Sequence, residues 1–234
     1  MKFKVYEEVF RALPTYCVGV VTAKKIDNTK ANKAVKEMFE GQMQQTMAKL
    51  ENENLKEHAA ILPYRQAMQT VGINPNKYPS SIEAMLKRVQ KGHALASINT
   101  AVDMSNAVSM KYLLPMGSHD MNALTGDIAV RFSRADEVFL PLGESEEERV
   151  EAGDLVYCDE VRIRTRRWIW RQSDVGKITE DTTRIFFPID GFVGINDAAV
   201  KEAAEELRQL LETHFACEVL VDFVHKDRPE ADLL

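Results

Sequence analysis

Cysteine is scarce in this sequence, and the few cysteines are not arranged as pairs. Of 234 residues only Cys17, Cys158 and Cys217 are cysteine, and no C-x-x-C pair occurs. An odd number of scattered cysteines argues against a disulfide framework and against a zinc cluster. The five histidines are equally scattered, and no two lie at metal-ligand spacing. We therefore expect buried free thiols, no metal and no other cofactor.

Long apolar runs are absent as well. No segment approaches the roughly 20 apolar residues that a membrane helix needs. The first residues, MKFKVYEEVFR, mix charged and apolar side chains and lack the uninterrupted apolar core of a signal peptide. We expect a cytoplasmic protein with no membrane partner. The formal charge of -6 argues against non-specific coating of nucleic acid, but a local basic patch could still bind one nucleic-acid end.

The common catalytic motifs are missing too. The sequence contains no G-x-S-x-G elbow, no phosphate-binding loop, no H-E-x-x-H pair and no dinucleotide glycine pattern. These absences remove the signatures of the common serine hydrolases, nucleotide enzymes and zinc proteases. Any chemistry must use residues that a motif search does not find.

Hydrophobic spacing predicts an α+β fold in which mixed sheets pack against helices. Helical spacing predicts helices over 29–57, from Pro63, behind the capping pair Ser80 and Glu83, over 98–112 and over 197–213. Strand-like composition marks 2–10, 15–22, 127–142, 154–170, 182–193 and the segment CEVLVDFVH. Strands, helices, strands and a last helix–strand pair do not alternate regularly, which is typical of α+β proteins. No linker is visible, so we expect one domain over 1–234.

A basic and aromatic block stands out in this acidic chain. The stretch RIRTRRWIWRQ (162–172) holds five arginines and the only two tryptophans. If it is extended, Arg162, Arg164, Arg166, Trp168 and Trp170 share one face. Arginine binds phosphate and tryptophan stacks on bases, so the block could bind a single-stranded nucleic-acid end. A surface strand of arginines that ends in two core tryptophans is the alternative, and the pattern taken alone favours it.

Two further polar groups are candidates for a site. Asn99, Asp103 and Asn106 lie at i, i+4 and i+7 on the predicted 98–112 helix, where they could bind a polar ligand or brace a loop. His119 and Asp120 stand in a loop-like GSHD segment and could form a general-base pair. A Ser118 helix cap beside an exposed histidine is the alternative.

Several segments in order resemble a known family. These are GINPNKYPSSIEAMLKR, INTAVDMSNAVSMKYLLPMGSHDMNALTGDIAVRFS, FLPLGE, GDLVYCDE and RRWIWRQSDVGKIT. Together they resemble the B3/B4 editing domain of the phenylalanyl-tRNA synthetase beta subunit, and more closely its free-standing relatives. The resemblance runs from about Tyr64 to Asp190. It implies hydrolysis of mischarged aminoacyl-tRNA, acting in trans on the tRNA 3′ end or as a partner of an aminoacyl-tRNA synthetase.

The resemblance also suggests residue roles. Positioning of an activated ester and of a water molecule can replace a dedicated nucleophile. We expect His119, Asp120 and Asn106 as the catalytic group, with His119 ordering the water. Substrate contacts are expected from arginines at the phosphates, tryptophans at the terminal base or pocket wall, and polar pocket residues. These are Arg65, Arg167 and Arg171; Trp168 and Trp170; and Asn99, Ser109 and Asp103, the last of which would bind the α-ammonium group.

Two other functions stay open at this point. A non-catalytic module could bind a tRNA end or an amino acid, which the lack of an obvious general base favours. An ordinary small-molecule hydrolase could use Cys158 or His119. Asp159 beside Cys158 disfavours the thiolate and makes that cysteine a poor nucleophile.

Overall fold

Two β-sheets face each other across an aromatic core in the computed structural model, which describes all residues 1–234. The strands are β1 (Lys2–Val5), β2 (Tyr16–Lys24), β3 (His119–Asp120), β4 (Ile128–Phe132), β5 (Glu137–Phe139), β6 (Glu148–Val150), β7 (Leu155–Cys158), β8 (Ile163–Arg166), β9 (Arg171–Gln172), β10 (Arg184–Phe192), β11 (Glu218–His225) and β12 (Glu230–Asp232). The helices are α1 (Glu7–Ala12), α2 (Lys33–Leu50), α3 (Leu62–Thr70), α4 (Ser81–Gln90), α5 (Thr100–Tyr112) and α6 (Asp197–His214). The predicted α+β class is confirmed.

The two large sheets differ in strand direction, because one is mixed and the other is antiparallel throughout. One has six strands in the order β12-β1-β4-β7-β8-β9, and the other has four in the order β11-β2-β10-β3. In the first sheet β1 and β4 run parallel, whereas the remaining pairs are antiparallel. Strands β5 and β6 form a separate hairpin. None of the helices is long and apolar enough to cross a membrane.

Aromatic side chains join the two sheets. The ring of Phe3 on β1 stacks on Tyr157 of β7 at a centroid distance of 6.0 Å. The same ring meets Phe186 of β10 at 5.1 Å. Offset aromatic contacts of this kind add to the free energy of burying large rings. The alternation of buried residues along β1 therefore fixes which face of the six-stranded sheet meets the four-stranded one.

Helix α6 lies directly on the four-stranded sheet. Its Val200 approaches Gly19 of β2 and Gly191 of β10 so closely that a Cβ atom on Gly191 would lie 2.4 Å from Val200 Cγ2. Only glycine leaves room for this approach, because any side chain would push the helix away from the strand. Gly19 and Gly191 therefore allow α6 to pack closely against the sheet.

Helices α2, α4 and α5 form a second apolar layer. Phe39, Leu86 and Met110 belong to its cluster of ten buried residues. The predicted cap of α4 is present, since Ser80 Oγ accepts a hydrogen bond from the Glu83 N–H at 3.4 Å. Helix caps satisfy amide groups that would otherwise have no partner. The capping pair in the sequence therefore located the start of this helix correctly.

Several predicted elements differ from the structure. The predicted strand 127–142 is divided into β4 and β5. The predicted strand 2–10 ends at Val5 and is followed by helix α1, and the predicted helix 29–57 covers only Lys33–Leu50. The block 162–172 is not one extended strand. It turns between β8 and β9, where Arg167 and Trp168 have φ values of 51° and 61°. The prediction that alternate arginines and tryptophans share one face is therefore wrong.

Candidate functional site

A small cavity opens where the turn after β8 meets β3, β7 and β10. Its volume is about 80 Å³, and its lining includes His119, Tyr157, Trp168, Trp170, Gln172 and Asp190. Pockets that enclose drug-sized ligands are several times larger, roughly 300–1,000 Å³. This cavity would accept a small group, and anything larger attached to that group would lie at its mouth.

A buried carboxylate forms one wall of the cavity. Asp190 is 2% exposed. Its Oδ1 accepts hydrogen bonds from Tyr16 Oη at 2.5 Å, Tyr157 Oη at 2.8 Å and Trp168 Nε1 at 3.0 Å. Burial raises the pKa of Asp190 to about 6, although these three hydrogen bonds work in the opposite direction. Only neutral donors hold this carboxylate, and it is ionised at neutral pH.

The second carboxylate oxygen has no partner in the protein. Every hydrogen bond to the Asp190 carboxylate goes to Oδ1. No fully buried side-chain oxygen or nitrogen of the protein lacks a partner. Oδ2 must therefore keep access to the cavity that Asp190 lines.

His119 lies in the same cavity as a neutral imidazole. It is 2% exposed, and its ring stacks on those of Tyr157 and Phe186. Burial lowers the pKa of His119 to about 3, and the nearby Arg164 adds to this effect. A neutral imidazole has one donor and one acceptor nitrogen. His119 can therefore orient a water molecule, but it carries no positive charge at physiological pH.

An arginine–aromatic cluster of Tyr78, Arg167 and Trp170 stands beside the cavity. The Arg167 guanidinium lies 3.8 Å from the Tyr78 ring centroid and 5.1 Å from that of Trp170. The two rings meet edge to face at 4.7 Å. All three side chains are partly exposed, and Trp170 also lines the cavity. Such a cluster offers both a cation and a π surface to a nucleotide.

The backbone turn that presents this cluster is held by hydrogen bonds. The Trp168 N–H donates to the Leu155 carbonyl at 2.5 Å, and the Ser81 N–H donates to the Ile169 carbonyl at 2.8 Å. These bonds tie the turn to β7 and to the start of α4. Left-handed backbone at two successive non-glycine residues is costly and is kept only where the surroundings enforce it. Trp168 is thereby buried while Arg167 stays at the surface.

Four of the predicted site residues come together here. His119, Trp168 and Trp170 line the cavity, and Arg167 adjoins it through Trp170. Trp168 is 0% exposed, so it can wall the pocket but cannot stack on a base from outside. Of the two tryptophans, only Trp170 is exposed enough to stack on a base.

Arg65 and Asp120 lie in different surroundings from those expected. Arg65 is buried, and its guanidinium contacts Glu83 at 2.8 Å and Asn76 at 2.7 Å rather than facing the cavity. Asp120 does not pair with His119, because its carboxylate accepts from the Asn122 N–H and from Thr182 Oγ1. Adjacent residues of a strand point to opposite sides, which separates the two expected partners.

The polar residues of α5 do not reach the cavity either. Asn99 caps the helix through the Val102 N–H, so it precedes the helical face on which it was expected. Asp103 accepts from the Ile98 N–H at 2.8 Å and from Ser97 Oγ, which is a loop-bracing role. Ser109 donates to the Leu114 carbonyl at the helix end. Asn106 is half-buried on the same helix and is not among the lining residues.

Most arginines of the basic block pair with acidic side chains. Arg164 is buried against Asp159, and Arg162 and Arg166 contact Glu147 and Glu148. Arg171 lies 3.2 Å from Glu144 and is not one of the residues that line the cavity. The acidic loop that precedes the block neutralises it, because opposite charges attract at these distances. Arg167 is the arginine of the block that faces aromatic rings instead.

The cysteine alternative finds no support in the structure. Cys158 lies in β7 and is 1% exposed. Burial raises the pKa of its thiol to about 12. A thiol of this kind is not ionised at neutral pH and is a poor nucleophile.

Sequence reasoning missed the central residue of the cavity. Asp190 is the one charged residue inside β10, whose sequence RIFFPIDGF is otherwise apolar after its first arginine. A charged side chain in a buried strand is expensive unless it has partners or a purpose. That signal was available, but its partners Tyr16 and Tyr157 are far away in the sequence.

Comparisons with known proteins agree with the predicted family. The B3/4 domain family model matches residues 63–216. The phenylalanine–tRNA ligase beta subunit of Mycoplasma genitalium is 27% identical over 149 residues, or 64% of this chain and 17% of that protein. The same subunit of Colwellia psychrerythraea is 34% identical over 116 residues, or 49% of this chain and 14% of that protein.

A solved structure is also similar. The N-terminal fragment of the phenylalanyl-tRNA synthetase beta subunit from Pyrococcus horikoshii has 13% sequence identity and a TM-score of 0.46, over 93% of this chain and 50% of that one. The chain thus spans less than a fifth of the ligase subunits and half of this fragment. Because the family model covers well over half of its residues, the chain belongs to the B3/4 domain family.

Proposed function

We propose that this protein hydrolyses mischarged aminoacyl-tRNA in the cytoplasm, with the tRNA 3′ end at the arginine–aromatic cluster and the aminoacyl group in the cavity. One arrangement carries the proposal: a small cavity with a buried carboxylate and a neutral imidazole opens beside a partly exposed arginine and indole. The similarity to ligase subunits that act on tRNA supports this substrate class. It also makes an aminoacyl-tRNA synthetase a candidate partner.

The reaction needs little from the protein beyond position. Water adds to the ester carbonyl carbon, the bond to the ribose oxygen breaks, and that oxygen takes up a proton as the amino acid leaves. The vicinal ribose hydroxyl assists, since it lies next to the reacting centre. His119, as a neutral donor and acceptor, holds the water, and Arg167 with Trp170 fixes the terminal nucleotide. Holding reactants in the correct geometry lowers the barrier without a covalent intermediate.

A panel of tRNAs mischarged with protein and non-protein amino acids tests the proposal. We expect at least one ester to be lost well above the spontaneous rate. Arg167→Ala and Trp170→Ala should each lower kcat/KM about tenfold or more, because stacking on an aromatic ring contributes about 1–3 kcal/mol. Arg149→Ala is the matched control, because Arg149 pairs with Asp136 on the exposed hairpin.

Two results would change the assignment. Measurable binding of the aminoacylated end, with an unchanged ester lifetime across the whole panel, would select the non-catalytic binding module. Full activity in both cluster variants would show that the tRNA end binds elsewhere.

A further inference from the structure

The cavity contains a negative charge for which the protein supplies no cation. Three other carboxylates are buried. Glu83 and Asp159 each contact an arginine, and Asp103 accepts hydrogen bonds from Ser97 Oγ and the Ile98 N–H beside the start of α5. The Asp190 carboxylate instead has three neutral donors, and the influences on its pKa are burial and those three hydrogen bonds, with no charged neighbour among them. A buried charge without a counter-charge is costly. A ligand that brought a positive charge to Oδ2 would remove that cost.

The geometry restricts what that ligand can be. Oδ1 already accepts three hydrogen bonds, which also fix the plane of the carboxylate. The donors are Tyr16, Tyr157 and Trp168. Only Oδ2 is free to accept, and it faces a cavity of about 80 Å³. That space suits a compact group such as a primary ammonium better than a planar guanidinium on a long stem.

We infer that Asp190 is the anchor for the α-ammonium group of the aminoacyl substrate, with Oδ2 accepting a charge-assisted hydrogen bond from it. This inference rests on the proposed function for the identity of the ligand. It replaces Asp103, which the sequence suggested for this role and which the structure places outside the cavity. Charge-assisted hydrogen bonds are about twice as strong as neutral ones, so they also select the free amine over an acylated one.

The inference explains why a costly residue is kept in the core. An asparagine at position 190 could accept the same three hydrogen bonds without carrying a charge. The charge is therefore not required to satisfy Tyr16, Tyr157 and Trp168. The charge is thus available to a ligand in the cavity.

A pair of non-hydrolysable analogues tests the anchor without requiring catalysis. One is 3′-(L-alanylamino)-3′-deoxyadenosine with a free α-amine, and the other is the same compound with the amine acetylated. At pH 7 both Asp190, with its pKa of about 6, and the amine, with a pKa of about 8, are charged. We expect the wild type to bind the free amine roughly tenfold more tightly in calorimetric titrations.

Asp190→Asn should bind both analogues with the weaker affinity of the wild type for the acetylated one. Asp127→Asn is the matched control, since Asp127 pairs with Lys4 outside the cavity, and this variant should keep the tenfold preference. A cooperative thermal unfolding transition should show that the asparagine variant is folded. Equal wild-type affinity for the two analogues, no measurable binding of either, or a preference retained by Asp190→Asn would overturn the inference.

The anchor and the proposed hydrolysis can fail separately. Preference for the free amine without ester loss on the mischarged panel would support the anchor and refute the deacylase. If N-acetylated esters were instead hydrolysed as fast as free ones, with KM unchanged in Asp190→Asn, the result would support the deacylase and refute the anchor. A fall in kcat alone, equal for free and acetylated esters, would instead make Asp190 a base acting on the water.

Discussion

The indole nitrogen of Trp168 lies 3.0 Å from Oδ1 of Asp190 and donates a hydrogen bond to it across the interior of the protein. This bond links the turn after β8 to the long strand β10. It joins the residue that shapes the turn to the carboxylate that faces the cavity. The fully buried ring also packs against Tyr16 at 5.4 Å, so it belongs both to the core and to the site.

Replacing this ring should destabilise the protein. Trp168→Phe removes the donor to Asp190 and leaves unfilled space, and we expect a loss of about 2–4 kcal/mol in the free energy of unfolding. Urea denaturation followed by circular dichroism measures it. Trp170→Phe is the control, because Trp170 is only half-buried and should cost about 1 kcal/mol or less. Equal losses in the two variants would contradict the role given to Trp168.

The charge of Asp190 should make the protein less stable as the pH rises. Its pKa is about 6 in the folded protein and near 3.8 in the unfolded chain, so the folded state holds its proton more tightly. The stability that this group contributes is therefore fully present below about pH 3.8 and is lost as the pH rises through about 6. Asp190→Asn removes this loss.

We expect Asp190→Asn to be more stable than the wild type at pH 7. The advantage should grow by roughly 2 kcal/mol between pH 4 and pH 7, because the pKa of Asp190 is about 6 in the folded protein and near 3.8 in the unfolded chain. Denaturant titrations of both proteins at several pH values measure it. An advantage that stayed constant with pH would show that the carboxyl group is not titrating as described.

The pH dependence of the activity should reflect the ionisation of Asp190 rather than that of His119. The groups that face Asp190 are neutral donors, and His119, with a pKa of about 3, stays uncharged between pH 5 and 8. Enzymatic ester loss, corrected for the spontaneous reaction, should rise with an inflection near pH 6 as Asp190 ionises. His119→Gln should keep this inflection at a lower rate, whereas Asp190→Asn should lose it. Loss of the inflection in the His119 variant would reverse the assignment.

Arg65 should prove to be a residue of the core. Arg65→Met would leave the buried Glu83 carboxylate with Lys87 as its one remaining cationic partner, and we expect a loss of about 3 kcal/mol in stability. Arg171→Met removes a surface contact with Glu144 and should cost less than about 1 kcal/mol. Chemical denaturation of both variants gives the comparison. If Arg65→Met were as stable as the wild type, the buried contact between Arg65 and Glu83 would not contribute to stability.

Glycine substitutions test how α6 is seated. Gly191→Ala would place a methyl group against Val200 and should destabilise the protein by about 2 kcal/mol or more. Gly41→Ala in α2 meets no atom within 4 Å and should stabilise the helix by up to about 1 kcal/mol. Thermal unfolding of the two variants should move in opposite directions.

The sequence alone determined the features that depend on neighbouring residues. The capping pair Ser80 and Glu83 marked the start of α4, and the apolar spacing of 197–213 predicted α6 to within one residue at its end. The ordered motifs identified the B3/4 family, which the family model confirms. These signals are local or sequential, so no knowledge of distant contacts was needed to read them.

Only the tertiary structure decided what the cavity contains. Tyr16 and Asp190 are 174 residues apart in the chain and meet through a 2.5 Å hydrogen bond. The turn at Arg167 and Trp168 is likewise fixed by contacts with β7 and α4, against the extended conformation that its composition favoured. The pKa of a carboxyl group and the direction of a side chain depend on everything that surrounds them in space. Their surroundings here come from strands that are far apart in sequence and adjacent only in the folded sheets.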